Sequence, residues 1–389
     1  MRAVGYRHIA FALSLLGAGC AFADNVDNIV DAEMKRRNIP GLSLVIIDGG
    51  KIVKSKGYGV TENGGGTPVT TSTLFQAGSI SKPVAAIGAL HLVEQGKLAL
   101  DADVNTKLTS WKVPDSEFTT EKKVTLRGIL SHSAGLTVHG FPGYASDARM
   151  PTVLQILNGE KPAKTAPIRV SVLPGSIFRY SGGGYTVMQQ LTVDVTRTPF
   201  ADFMREKVLL PLGMRDSDFA QPLTREKAAI AASGHLSGRN VVPGRWHTYP
   251  EMAAAGLWTT PTDLGRFAMG VQQSLAGTAN PIISAAMTRQ MLTLQKNMGL
   301  GFALEGTGKS QEFAHGGRDE GFDARLAATA ETGQGAVVMI NVNDNSRMMN
   351  RIMAAIRTTY KWPAAVTDAR TPPKIVYADP NVLARVSGR

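Results

Sequence analysis

Ser79-Ile80-Ser81-Lys82 places a hydroxyl and an amine three residues apart. On a helix, positions i and i+3 share a face, so these two side chains meet. A helix N-terminus adds free N–H groups and partial positive charge, both favourable to anionic oxygen. An ammonium partly removed from water gives up its proton more readily, and the neutral amine can then accept the serine's. That is the chemistry of an activated nucleophile. The spacing alone is expected about once by chance in a chain of this length. Its placement adds weight, because it follows Phe75-Gln76-Ala77-Gly78 and opens an apolar helix predicted from Ser79 to Glu94, with Gly96 at the stop.

Two further clusters carry chemistry. Tyr180-Ser181-Gly182, continued by Gly183 and Gly184, puts a phenol on a predicted exposed loop. A phenol ordinarily titrates near ~10 and serves as a base only when neighbouring cations such as Lys82 pull it down. The bland alternative is a tyrosine packed at a domain edge. His315-Gly316-Gly317 ends a predicted strand, where two glycines let backbone approach a substrate closely. The backbone N–H of Arg318, paired with that of Ser79, would then form an oxyanion hole. The bland alternative is an edge-strand turn with a surface histidine.

The elements that must position these groups follow from periodicity. Asn25 to Arg37 reads as a helix, and Leu42–Ile47 and Ile52–Val60 as strands around the hairpin signal Asp48-Gly49-Gly50-Lys51. Between 101 and 290, short helical patterns alternate with Pro- and Gly-marked loops: Leu126–Leu130, Met150–Leu157, Tyr185–Asp194, Phe200–Val208, Thr262–Gln273 and Ala285–Leu294. Strand signals return at Leu300–Leu304, Glu312–His315, Ala324–Thr329 and Ala336–Asn343, and Arg347–Tyr360 closes the pattern as a helix. Apolar strands joined by short turns predict an antiparallel sheet. The expected fold class is therefore α+β: an antiparallel sheet flanked by N- and C-terminal helices, with a mostly helical insertion. The expected division is 24–100 with 291–362 as a discontinuous α/β domain, 101–290 as the helical domain, and 363–389 as a tail. The site would lie between the two parts.

The order of the three clusters resembles that of the serine β-lactamase and penicillin-binding superfamily: S-x-x-K, then Y-x-N, then K-T-G or H-x-G. The chain is most similar to the branch holding class C β-lactamases, D-Ala-D-Ala carboxypeptidases and family VIII esterases. The resemblance spans about residues 25–360. It includes Leu130-Ser131-His132-Ser133-Ala134-Gly135-Leu136, Pro211-Leu212-Gly213-Met214 with Ser217, and Gly256-Leu257-Trp258-Thr259-Thr260-Pro261-Thr262-Asp263-Leu264. It implies Ser79 as nucleophile, Lys82 and Tyr180 as proton shuttles, and His315 to Arg318 lining the strand side of the site. Trp258 would be a pocket wall or plain core, with the matched segment favouring the wall. Two positions depart from the pattern. Gly182 stands where the family has the Asn that helps hold the lysine and binds the acylamido carbonyl of penicillin-like substrates. His315 stands where K-T-G has lysine, and an imidazole anchors a substrate carboxylate less well.

The rest of the sequence excludes alternatives. His132 and His139 lack a third ligand at metal spacing and are read as structural, and the glycine runs at 64–66 and 182–184 lack the context of a phosphate cradle, so no metal or cofactor is expected. The absence of a G-x-S-x-G elbow argues against an α/β-hydrolase. Hydrophobic residues at 43% and charged residues at 19% fit a folded globular protein. The net charge is +11, with basic residues scattered, which suits cell-wall or other anionic contacts and not nucleic acid. Arg2, Arg7, the apolar run Ile9–Gly19 and Ala21-Phe22-Ala23 form a secretory leader, residues 1–23, cleaved after Ala23; lipidation at Cys20 is the alternative. Cys20 is the chain's one cysteine, so thiol chemistry is absent from the folded domain, and no later apolar run is long enough to span a bilayer. The expectation is a periplasmic or secreted serine hydrolase acting on a small ester, D-amino-acid peptide or β-lactam. Esters and D-peptides are favoured; a β-lactamase, an acyltransferase and a non-catalytic binder of cell-wall fragments stay open.

Overall fold

The computed structural model describes residues 17–236, 240–279, 282–344 and 347–364. Most of the leader and nearly all of the tail expected from the sequence lie outside these residues.

Among the described residues, eight strands form two sheets. The main sheet uses β1 (Gly41–Asp48), β2 (Lys51–Gly59), β5 (Ala303–Glu305), β6 (Glu312–Asp319), β7 (Phe322–Thr329) and β8 (Gly335–Ile340), in the order β2-β1-β8-β7-β6-β5. Every pairing is antiparallel, as the short turns require. The two-residue strands β3 (Phe75–Gln76) and β4 (Trp258–Thr259) pair with each other. Strand alternation divides the core between the faces of the main sheet. Leu42, Leu44 and Ile46 of β1 meet Val26 and Val30 of α1 (Gly17–Arg37) and Met349, Ile352 and Ile356 of α12 (Arg347–Thr359). Val45 and Ile47 face the opposite core, where the remaining helices pack. Arg357 on α12 holds Glu312 at the start of β6 through paired bonds of 3.0 and 2.6 Å.

On that second face lie α2 (Ser81–Glu94) and the helices between the two strand groups: α3 (Glu117–Glu121), α4 (Leu126–Leu130), α5 (Val153–Asn158), α6 (Gly182–Thr196), α7 (Phe200–Met204), α8 (Arg225–Ala229), α9 (Met252–Ala255), α10 (Pro261–Ala276) and α11 (Ala285–Met291). The helix expected from Phe200 to Val208 changes at Arg205 to a wider-pitched turn, Arg205–Leu209. α10 falls inside the span read as helical insertion, yet it packs on the sheet. A Cβ on its Gly265 would stand 3.0 Å from Val45, and Gln272 donates to the carbonyls of Thr329 and Gln334.

Candidate active site

Ser79 lies in the 3-10 turn Gly78–Ile80, one turn ahead of α2 instead of inside it. That turn exists because Gly78 takes φ +51°, a left-handed conformation glycine adopts without strain. A side chain there has no room, since a Cβ would stand 2.4 Å from the Arg318 backbone N. Ser81 fastens the turn: its Oγ donates to the Gly78 carbonyl at 2.6 Å and accepts from the Leu257 N–H at 3.0 Å. Lys82 then points back at Ser79.

Lys82 is 2% exposed. Its Nζ is 2.8 Å from Ser79 Oγ and 2.8 Å from the Ala254 carbonyl at the end of α9. The rings of Tyr180 and Tyr185 complete its surroundings, with centroids 5.0 and 5.8 Å from Nζ. Burial pulls this ammonium down to about 7, against the opposing pull of Asp319. In the neutral form, Nζ can donate to Ala254 and turn its lone pair to Ser79.

Tyr180 is partly buried, not exposed as the sequence suggested, and the glycines after it form the first turn of α6. Its ring stacks on His132 (centroids 4.1 Å apart, 26° between planes) and leans on His139 at 4.8 Å. The Ser181 N–H donates to His132 Nδ1 at 3.0 Å, while Ser181 Oγ caps α6 by accepting from the Gly184 N–H. Gly182 donates to the His139 carbonyl, and a Cβ on it would meet Phe141 at 3.0 Å. No side-chain amide reaches Lys82 from this position; the Ala254 carbonyl supplies the lysine's second acceptor.

His315 lies inside β6, which runs on to Asp319, and not at a strand end. The residue is fully buried, so its histidine is no surface group. Burial, together with Lys82, holds the imidazole down to about 3, and its Nδ1–H donates to the Gly316 carbonyl at 2.6 Å. Period-two alternation puts His315, Gly317 and Asp319 on the face toward Lys82. Gly317 serves a different approach from the one expected: a Cβ there would stand 1.8 Å from the Ala77 carbonyl, so the bare strand admits the turn that carries Ser79. Gly316 and Arg318 belong to the other face. The Arg318 guanidinium forms a two-pronged ion pair with Asp323, both bonds 2.7 Å, leaving only its backbone for the site.

The structure therefore brings Ser79, Lys82, Tyr180 and His315 together, with the Arg318 backbone against the Gly78–Ile80 turn. Trp258 requires a correction. It is fully buried, and its ring meets Trp246 and Phe322 edge-on at 5.0 and 5.8 Å, so it is core beneath the site and not a pocket wall. Sequence reasoning missed four contributors. His132 and His139 were read as structural, with a metal pair set aside, and not as neighbours of Tyr180; among the described residues no metal-holding group of three or more His, Cys, Asp or Glu occurs. Asp319 was readable as the i+4 partner of His315 on a strand face. Burial raises its carboxyl well above the usual range, although Lys82 pulls the other way. The Ala254 carbonyl carries no sequence signal, because any residue has one.

A family model described as Beta-lactamase matches residues 26–359. Penicillin-binding protein 4 of Amycolatopsis lactamdurans is 25% identical over 330 residues, covering 80% of this chain and 83% of that one. Esterase EstB of Burkholderia gladioli is 29% identical over 228 residues, 56% of each chain. Among solved structures, the D-alanine carboxypeptidase AmpC from Burkholderia cenocepacia is similar in fold, with a TM-score of 0.70 at 19% identity over 87% of this chain and 99% of that one. The octameric penicillin-binding protein homologue from Pyrococcus abyssi scores 0.69 at 22% identity, covering 85% of this chain and 77% of that one.

Proposed function

The chain belongs to the beta-lactamase family, and on that premise we propose that it hydrolyses carboxylic esters through an acyl-enzyme on Ser79. One observation carries the reading: a buried amine held down to about 7 stands 2.8 Å from a serine oxygen. Near neutral pH a large share of Lys82 is unprotonated and can take the hydroxyl proton as Ser79 Oγ attacks the ester carbonyl. The backbone N–H groups of Ser79 and Arg318 would hold the oxyanion. Lys82 and Tyr180 return the proton to the leaving alkoxide. Water, activated by the same pair, then cleaves the acyl-serine and restores the site.

The preference for esters follows from charge. D-peptides and penicillin-like substrates present a carboxylate. On the site face of β6 the group that would meet it is His315, a neutral imidazole, while the Arg318 guanidinium is engaged with Asp323 on the other face. An uncharged acyl donor loses nothing by this arrangement. Work outside the cytoplasm, in the periplasm or medium, is part of the proposal and rests on the basic, apolar and Ala-x-Ala segments of the leader. Among the described residues no helix is long and apolar enough to cross a membrane.

Mass spectrometry after a fluorophosphonate probe should find one adduct, on Ser79. Turnover of p-nitrophenyl butyrate should exceed that of nitrocefin and of a D-alanyl-D-alanine peptide by at least ~10-fold in kcat/KM, and Ser79→Ala should lose at least ~10³-fold. Near wild-type turnover in Ser79→Ala would remove the nucleophile from this account. A faster D-peptide or nitrocefin would overturn the ester assignment.

A further inference from the structure

His132 is built in a way that packing alone does not require. It takes φ +56°, uncommon for a residue with a side chain. Such conformations persist where surrounding structure holds them, often at functional sites. The residue is buried, yet its Nε2 has no hydrogen-bond partner among the described residues, an arrangement buried polar atoms usually avoid. Its ring also meets Tyr185 at 5.3 Å, but three of its contacts converge on the Tyr180 segment. The Arg179 N–H donates to the His132 carbonyl at 2.7 Å, the Ser181 N–H donates to Nδ1 at 3.0 Å, and the ring lies flat against Tyr180. The residues on both sides of Tyr180 are thus fastened to one histidine, and the phenol between them rests on its face.

We propose that His132 is the positioning residue of Tyr180, fixing the phenol beside Lys82 through a ring stack and the Ser181 bond. This rests on the acyl-enzyme reading above. Because Nδ1 accepts, the proton of the neutral ring sits on Nε2. Burial and the nearby Lys82 both oppose a charge on this ring, which keeps a second cation away from the amine that must lose its proton. The second stacking partner, His139, is also pushed toward neutrality by burial.

Asparagine separates the two contacts. In His132→Asn the side-chain oxygen can replace Nδ1 as acceptor, and asparagine tolerates the left-handed backbone, but the stacked ring is gone. The expected result is a ~10–100-fold fall in kcat with KM within ~3-fold, and unchanged thermal stability to within a few degrees. His132→Phe keeps a ring and loses the acceptor, and should retain kcat within ~5-fold. In a Tyr180→Phe background, which keeps the ring and removes the hydroxyl, His132→Asn should cost nothing more. A full further loss in that background, an undiminished kcat in His132→Asn, or equal losses for Asn and Phe would overturn the proposal. Should the Asn protein fail to fold, the Phe variant and its Tyr180→Phe cycle decide: a 10-fold or greater fall repeated in that background defeats the stack. Labelling of wild-type Ser79 by the fluorophosphonate probe tests the underlying reading separately, so the two failures are distinguishable.

Discussion

Around Ser79 and Lys82 the chain is held by backbone pressed against backbone, whereas Tyr180 is held by the faces of two imidazoles. In the first region Gly78 meets the Arg318 backbone, Gly317 meets the Ala77 carbonyl, and the Ala254 carbonyl accepts a hydrogen bond from Lys82 Nζ. In the second, His132 and His139 lie 4.1 and 4.8 Å from the phenol ring. Backbone contacts have no slack, because close-packed peptide cannot rotate out of the way. Ring stacks are softer, and a substituted ring can settle into part of the old contact. Ser79, the proposed nucleophile, is thus fixed more tightly than Tyr180, the proposed proton shuttle.

The largest expected effect comes from adding one methyl group to each region. In Gly317→Ala the new carbon would stand 1.8 Å from the Ala77 carbonyl and 3.3 Å from the Ile80 N, so the nucleophile turn must move. A displacement of about 1 Å at reacting atoms can cost on the order of 10²-fold. The expectation is a kcat/KM at least ~10²-fold lower and a reduced melting temperature. Gly182→Ala meets the Phe141 ring at 3.0 Å and the His139 carbonyl at 3.1 Å, and a ring can shift. Its loss should stay within ~10-fold. Equal losses in the two variants, read by steady-state kinetics and thermal melts, would erase the distinction between the regions.

The legibility of the site in the sequence divides along the same line. The main-sheet strands, the paired terminal helices and the antiparallel order were readable from apolar runs and spacing. A strand covered on both faces is apolar almost throughout, as Leu42–Ile47 and Ala336–Ile340 are, and a helix covered on one face is apolar at helical spacing. Ser79, Lys82, Tyr180 and His315 were readable as side chains of suitable chemistry in a suitable order. The contributions of Ala254 and Arg318 come from the main chain, which has the same groups at every position. Gly317 was noticed, but a missing side chain does not say what takes its place, and the occupant proved to be the Ala77 carbonyl. Trp258 failed for the converse reason: its segment resembles one beside the site, but a large apolar ring with buried neighbours gains more from the core. His132 was legible as a structural histidine but not as a neighbour of Tyr180, because that partner is 48 residues away and ring stacking leaves no spacing rule.

A pH profile sharpens the comparison at intermediate cost. Lys82 is held at about 7 and His315 at about 3, so of these two only the lysine changes charge between pH 5 and 9. Activity should rise with pH through about 7, as the ammonium becomes an amine able to take the Ser79 proton. In His315→Gln the limb should stay within about one pH unit of its wild-type position, because a ring that is neutral throughout contributes no proton to it. The rate itself should fall only ~3–10-fold, given a role in lining the site. Loss of the limb in His315→Gln would transfer the titration to the imidazole and make the strand side of the site the proton acceptor.

The smallest effect concerns the charge buried behind the backbone-held region. Glu251 precedes α9, and its carbonyl accepts from the Ala254 and Ala255 N–H groups, so it braces the turn that holds Lys82. Burial pushes its carboxyl up to about 8 from an ordinary value of 4.5. The folded protein therefore keeps a proton that the unfolded chain gives up, and stability declines as pH rises from about 4.5, with the full cost present above about 8. Lys82 has the opposite sign, because its depressed value makes stability rise with pH between about 7 and 10.5. Comparing Glu251→Gln with wild type cancels the lysine and isolates the carboxyl. The two proteins should melt together at pH 4.5, and the variant should melt roughly 1–3 °C higher at pH 8.5. A pH-independent difference between them would mean that Glu251 carries no raised titration, and that the peptide around Lys82 is braced without a buried proton.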